Sequence, residues 1–203
     1  MIVLILLYLV GGVLVIGICG KSGSGKTTIS DYLSTKGFIH INLDREAKLM
    51  YSQNEVKSAL ISAFGSNIYK NGNLDKDLLS KIVFGKRENL EKLNQIFYPR
   101  LFKLVSDMKE KGVDTVVDGA IIFDAKIDTI TDRTIFVKAD KDTLLKRLSN
   151  RENRDIEILK GRLEAQSFID KFENRSDFVI DTSKGDVFKE IDLVIKEIEV
   201  VKR

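Results

Sequence analysis

Eight consecutive residues constrain this chain more than any other feature: Gly20-Lys21-Ser22-Gly23-Ser24-Gly25-Lys26-Thr27 fits the pattern G-x-x-x-x-G-K-[ST]. Such a loop functions where a buried strand runs into the start of a helix. Its glycines let the backbone curl so that successive N–H groups point inward, and the helix N-terminus adds partial positive charge. The amides of Gly23, Ser24, Gly25, Lys26, Thr27 and Thr28 are therefore the expected cradle for nucleotide phosphates. Lys26 can reach the β- and γ-phosphates, and the Thr27 hydroxyl can ligate Mg²⁺. The bland alternative is a glycine-rich turn that matches by chance, and the flanking elements argue against it.

Those flanks are readable. Residues 13–19 (VLVIGIC) form an apolar run suited to a buried parallel strand, 27–36 reads as a helix and 38–43 as a second short strand, together a βαβ unit. From 47 to 111 helical patterns dominate, including Leu90, Leu93, Ile96, Phe97 and Leu101, with interruptions at Gly65 and Asn71-Gly72; the sole proline, Pro99, is expected to kink or divide this stretch. Strand character returns at 114–118, 133–137 and 177–181. Five short strands separated by helices predict an α/β fold with a parallel five-stranded sheet, helices on both faces and the ligand at the carboxyl ends of the strands.

Hydrophobic residues make up 43% and charged residues 31%, which fits a packed globular domain rather than a disordered chain. The net charge of +3 is spread along the sequence, so nucleic acid is not an expected partner. One cysteine, Cys19, and one histidine, His40, allow neither an intrachain disulfide nor a zinc constellation, and both read as packing residues. Residues 1–19 carry no charge and are a candidate membrane span on hydropathy alone, but the loop needs 13–19 as its feeding strand, and residues 1–12 are too few to span. A signal peptide is disfavoured by the missing basic n-region. The expectation is a cytoplasmic protein with an apolar extension at 1–12 and a single domain at 13–203.

The N-K-x-D motif of guanine-specific switches has its nearest counterpart at Val137-Lys138-Ala139-Asp140, where valine offers no amide. A kinase instead needs an acceptor-activating group near the end of the second strand and cationic groups around the transferred phosphate. Asp44 follows the second strand, and Arg147, Arg151 and Arg162 lie in the charge-rich stretch 142–166.

Several separated patterns resemble the dephospho-CoA kinase family, over roughly nine-tenths of the chain. Ile41-Asn42-Leu43-Asp44-Arg45-Glu46-Ala47-Lys48 resembles the family's I-D-A-D-x-x-A-R, with Asn42 and Lys48 as departures. Phe64-Gly65, Gly72-Asn73-Leu74-Asp75-Lys76, Ile82-Val83-Phe84 and Leu93-Asn94-Gln95-Ile96-Phe97-Tyr98-Pro99 resemble its CoA-binding region, with Lys76 for arginine and Tyr98 for histidine. Val117-Asp118-Gly119-Ala120-Ile121-Ile122-Phe123-Asp124 resembles D-x-P-L-L-F-E, departing at Ala120 and Asp124. Arg147-Leu148-Ser149-Asn150-Arg151, Arg162-Leu163-Glu164-Ala165-Gln166 and Asp177-Phe178-Val179-Ile180-Asp181-Thr182-Ser183 resemble R-L-x-x-R, R-I-x-x-Q and D-x-V-I-D-N-S in the family's order.

The resemblance implies a P-loop kinase fold with a helical CoA-binding insertion at about 47–111 and a lid at about 142–166. The implied reaction moves the γ-phosphoryl group of ATP, with Mg²⁺, to the ribose 3′-hydroxyl of dephospho-CoA. Asp44 would act as the base, or else cap the helix expected to begin near Arg45. Asp118 would hold a Mg²⁺-bound water or orient the acceptor, or else cap the segment that follows it. Arg147 and Arg151 would neutralise the transferring phosphoryl group and Arg162 would contact nucleotide, or all three would line a solvated helical face. Tyr51, Phe64, Phe84, Phe97 and Tyr98 could line an acceptor pocket, although aromatic residues on helices are more often core. Two other functions stay open: a kinase of another small acceptor, such as a nucleoside, nucleotide or shikimate-like molecule, and a regulatory P-loop ATPase.

Overall fold

A strand with hydrophobic side chains on both faces must be covered on both, and Val15–Cys19 is buried at every residue. The computed structural model describes residues 12–152 and 154–201, so the extension expected at 1–12 lies, apart from Gly12, outside the described residues. Among the described residues no helix is long and apolar enough to cross a membrane. In chain order the elements are β1 (Val15–Cys19), α1 (Lys26–Ser34), β2 (Ile39–Asn42), α2 (Leu43–Met50), α3 (Asn54–Phe64), β3 (Tyr69–Lys70), β4 (Asn73–Leu74), α4 (Lys76–Phe84) and α5 (Arg87–Glu110). They continue as β5 (Thr115–Asp118), β6 (Arg133–Lys138), α6 (Lys141–Arg151), α7 (Ile156–Ala165), a 3₁₀ segment (Ser167–Arg175), β7 (Phe178–Asp181) and α8 (Val187–Val201).

The chain divides into two compact units, one containing the residues up to Asn42 together with Val105–Arg203, the other Leu43–Leu104. In the first, the sheet runs β2-β5-β1-β6-β7 with all neighbours parallel, as expected of an α/β domain. Alternate residues of β1 explain the two layers. Leu14, Ile16 and Ile18 join Ile29 and Leu33 of α1 and Ile191, Ile195 and Ile198 of α8 in one core. On the opposite face a Cβ on Gly17 would lie 3.2 Å from Thr131 and 3.5 Å from Ile122, which belong to the segment after β5. α6 and α7 pack as a pair through Leu144 and Leu148 against Leu159 and Leu163, each set spaced at i, i+4.

The register matters more for the site than the layers do. Asn42 at the end of β2 pairs with Asp118 at the end of β5. Residues directly opposite in adjacent parallel strands share a face, so the two side chains meet at the carboxyl edge. β2 is shorter than the run 38–43 suggests, because Leu43 is already the first residue of α2. Asp44 is thus inside the first helical turn and not at the cap position, which corrects the capping alternative.

The second unit is built from α2, α3, α4 and the first part of α5, with Val56, Leu60, Ile68, Leu79, Val83, Ile96 and Phe97 buried. It also holds a two-stranded antiparallel hairpin, β3 with β4, where the sequence shows no strand alternation. Asn71 and Gly72 close it with φ of 50° and 80°, the all-positive turn that Asn-Gly favours and that matches strand twist. Strands of two residues leave no period to read. Pro99 lies within α5, which runs unbroken from Arg87 to Glu110. An internal proline costs about 3 kcal/mol, and burial of Ile96, Phe97, Leu101 and Val105 along the same helix offsets it. Phe97 is core, 4.9 Å from the Tyr51 ring, whereas Phe84 is 78% exposed, contrary to the core reading for that side chain.

Candidate active site

The phosphate loop sits where β1 meets α1, and Gly20, Gly23 and Gly25 all have a positive φ there that disfavours a side chain. Gly20 has φ of 150° and a Cβ there would lie 2.1 Å from the Val137 carbonyl oxygen. Gly25 has φ of 99° and precedes α1, which no side chain caps; Thr27 and Thr28 belong to its first turn. An uncapped helix start after a left-handed glycine is the geometry of an anion-binding cradle, and it fits nucleotide phosphates. Lys26 Nζ donates to the carbonyls of Gly20 at 2.8 Å and Lys21 at 3.0 Å, which carries its charge back over the loop. Cys19, just before the loop, has its thiol pushed up to about 12 by burial, so it is no nucleophile.

Asp118 is fully buried and turns its two oxygens to different partners. Thr27 Oγ1 donates to Oδ2 at 3.0 Å, and Asn42 Nδ2 donates to Oδ1 at 2.6 Å. Its carboxylate is thus engaged by β2 and α1 and does not cap the segment that follows. His40 Nε2 lies 3.3 Å from Oδ1, close enough for charge attraction but off the line of a hydrogen bond, while Nδ1 lies 3.1 Å from Asp31 Oδ1. The Asp118 carboxylate, aided by Asp31 and opposed by burial, raises the imidazole pKa above its usual value. His40 therefore stands between the exposed Asp31 and the buried Asp118, and is not the packing residue its sequence context suggests. Among the described residues no group of three or more His, Cys, Asp and Glu could hold a metal. The Thr27 hydroxyl and Asp118 carboxylate are hard oxygen donors, and Mg²⁺ binds through one or two such groups plus substrate phosphates, so the pair fits that ion.

Four further side chains brace the loop from elements far along the sequence. Arg147 on α6 donates from Nη1 to Gly23 O at 3.2 Å and to Thr182 Oγ1 at 2.7 Å, and from Nη2 to Thr182 O at 2.9 Å. Thr182 Oγ1 in turn donates to Ser24 O at 2.7 Å. Gln166, after α7, accepts from Ser22 N at 2.9 Å and donates to Ser22 Oγ at 3.1 Å, and Lys21 pairs with Asp170 at 2.6 Å. Thr182 and Gln166 stand inside two of the quoted patterns, but residue type alone does not mark them as loop supports. Arg147→Lys keeps the charge and loses the planar fork, so KM for the nucleotide should rise about tenfold with KM for the acceptor little changed. Steady-state kinetics with each substrate varied in turn would check this.

Arg151 and Arg162 are placed differently. Arg151 Nη2 donates to Glu152 Oε1 at 2.7 Å, and Arg162 Nη1 reaches both Glu152 oxygens at 2.8 and 2.9 Å. Arg154 Nε, which no motif marks, lies 3.9 Å from the same carboxylate. Glu152 therefore gathers three arginines, and the Arg151 hydrogen bond foremost holds its carboxyl below the usual range. Asp44 is an exposed carboxylate on α2, in the second compact unit.

Comparison with known proteins gives a consistent result. The family model described as dephospho-CoA kinase matches residues 14–187. A dephospho-CoA kinase of Fusobacterium nucleatum is 34% identical over 185 residues, covering 89% of this chain and 96% of that protein. One from Carboxydothermus hydrogenoformans is 33% identical, covering 83% and 85%. Among solved structures, a dephospho-CoA kinase from Campylobacter jejuni has a TM-score of 0.64 at 23% identity, covering 93% of this chain and 98% of that one. Shikimate kinase from Bacteroides thetaiotaomicron has a TM-score of 0.58 at 13% identity, covering 91% and 97%, a likeness of fold. With the phosphate loop, the Asp118 site and a family match over 14–187 all on one chain, this protein belongs to the dephospho-CoA kinase family.

Proposed function

We propose that the protein phosphorylates the ribose 3′-hydroxyl of dephospho-CoA with the γ-phosphoryl group of ATP. The observation that carries this reading is the family match across 14–187, which spans the loop, the helical unit and the arginine-rich helices together. The loop from Gly20 to Thr27 binds the phosphates, with Lys26 supplying positive charge. Thr27 and Asp118 would hold Mg²⁺, which would supply further positive charge against the phosphate oxygens. Asp44 accepts the proton of the 3′-hydroxyl as that oxygen bonds to phosphorus, the bond from the γ-phosphorus to the bridging oxygen breaks, and ADP leaves. Arg147 keeps the loop in shape, and Arg151 and Arg162 exchange Glu152 for nucleotide or phosphoryl oxygens when ligands are present. Residues 47–111 bind the CoA moiety, and 142–166 serve as the lid.

ADP release measured with ATP alone, with dephospho-CoA and with shikimate should rise strongly only in the dephospho-CoA reaction. Equal ADP release in all three would reject the acceptor, and acceptor-independent hydrolysis would favour a regulatory ATPase.

A further inference from the structure

The Asp118 carboxylate is more heavily held than a metal-facing group needs to be if its only task is to carry charge. It is fully buried, and its Oδ1 is occupied on the side away from Thr27. Asn42 reaches it at 2.6 Å because the β2–β5 register sets the two residues side by side. His40, two residues earlier on the same face of β2, brings Nε2 to 3.3 Å from that same oxygen. Asp31, on α1, lies 3.1 Å from the other ring nitrogen and thereby fixes the ring plane. Thr27 meets Oδ2 alone, at 3.0 Å. The division is therefore one oxygen restrained by β2 and the other presented to the helix that follows the phosphate loop.

We propose that Asn42 and His40 are positioning residues that clamp Oδ1 of Asp118, so that Oδ2 is held beside Thr27 Oγ1 as the second oxygen of the cation site. The inference rests on the reading of Thr27 and Asp118 as that site. Neither clamp residue needs to touch the cation or the nucleotide. Groups that orient a metal-binding carboxylate typically govern 10- to 100-fold in metal affinity or activity. Asn42 supplies a neutral donor here, where an aspartate would place a second carboxylate against Asp118. Asn42→Asp accordingly converts a hydrogen bond into a contact between two like charges unless a proton is shared.

The test is calorimetric titration of ADP into the full chain, with Mg²⁺ and with EDTA, for the parent, Asn42→Ala, His40→Gln and Asp118→Ala. For the parent, Mg²⁺ should strengthen ADP binding. In both clamp variants that metal-dependent gain should fall about tenfold, while affinity in EDTA stays within a few-fold of the parent. Asp118→Ala should lose the gain altogether. If Asp118→Ala keeps the gain, the cation site is misplaced and the clamp falls with it. If Asp118→Ala loses the gain but Asn42→Ala and His40→Gln keep it, the clamp alone is overturned. An equal loss with and without Mg²⁺ also overturns it, since that is what a merely structural role predicts. Should Asn42→Ala prove too unstable to purify, His40→Gln decides by the same pair of titrations.

Discussion

Lys26→Ala is expected to lose at least about 100-fold in turnover, because a charged phosphate clamp inside a preorganised site contributes on the order of 3 kcal/mol to the transition state. The structure adds a reason for the size of the effect. Nζ is held by two loop carbonyls, Gly20 O at 2.8 Å and Lys21 O at 3.0 Å, so the charge is positioned by the backbone that cradles the ligand. A positioned charge need not reorganise as negative charge shifts toward the leaving group. The same contacts predict a smaller structural effect, since the two carbonyls lose a donor. Thermal melting separates these effects: a variant that melts near the parent yet turns over 100-fold more slowly has lost catalysis and not its fold. Near-normal turnover would mean that the loop binds phosphate without contributing to transfer.

The phosphate loop was legible because its chemistry is local: glycine conformations, a lysine and a threonine within eight residues between a strand and a helix. The parallel sheet was legible from five apolar runs, each close to its observed strand. What surrounds Asp118 was not, because it depends on strand order. Nothing in the chain says that β5 lies beside β2, yet that neighbour relation brings Asn42 to a carboxylate 76 residues away. His40 looked like a packing residue for the same reason: its two partners lie on α1 and β5, and only the folded register brings them to it. The hairpin at Tyr69–Leu74 announced its turn through Asn71-Gly72, but two-residue strands show no alternation. Among the arginines, residue type and motif marked Arg147, Arg151 and Arg162 alike. The fold distinguishes them, binding Arg147 to Gly23 and Thr182 and gathering the others on Glu152.

Replacement of Asp44 by asparagine should lower turnover by roughly 10²- to 10⁴-fold while leaving ATP binding nearly intact, the range expected when a general base is removed. A ribose hydroxyl is a poor nucleophile at neutral pH. A carboxylate within hydrogen-bond reach can orient it and take its proton as the new bond to phosphorus forms. Asp44 suits that task in being exposed, so an acceptor can reach it. The competing account is now a different one from capping. As the second residue of α2, Asp44 puts negative charge in the first helical turn, where it interacts favourably with the helix dipole by about 0.3–1 kcal/mol. Asparagine keeps the size and the hydrogen-bonding oxygen but loses the charge. Either account predicts a slightly lower melting temperature, since the charge leaves the first turn in both. A dipole role alone keeps turnover within a few-fold of the parent, whereas a base predicts a collapse of kcat. Measuring turnover of the Asp44→Asn preparation, with dephospho-CoA as acceptor, separates the accounts. Turnover within a few-fold of the parent would remove Asp44 as the base.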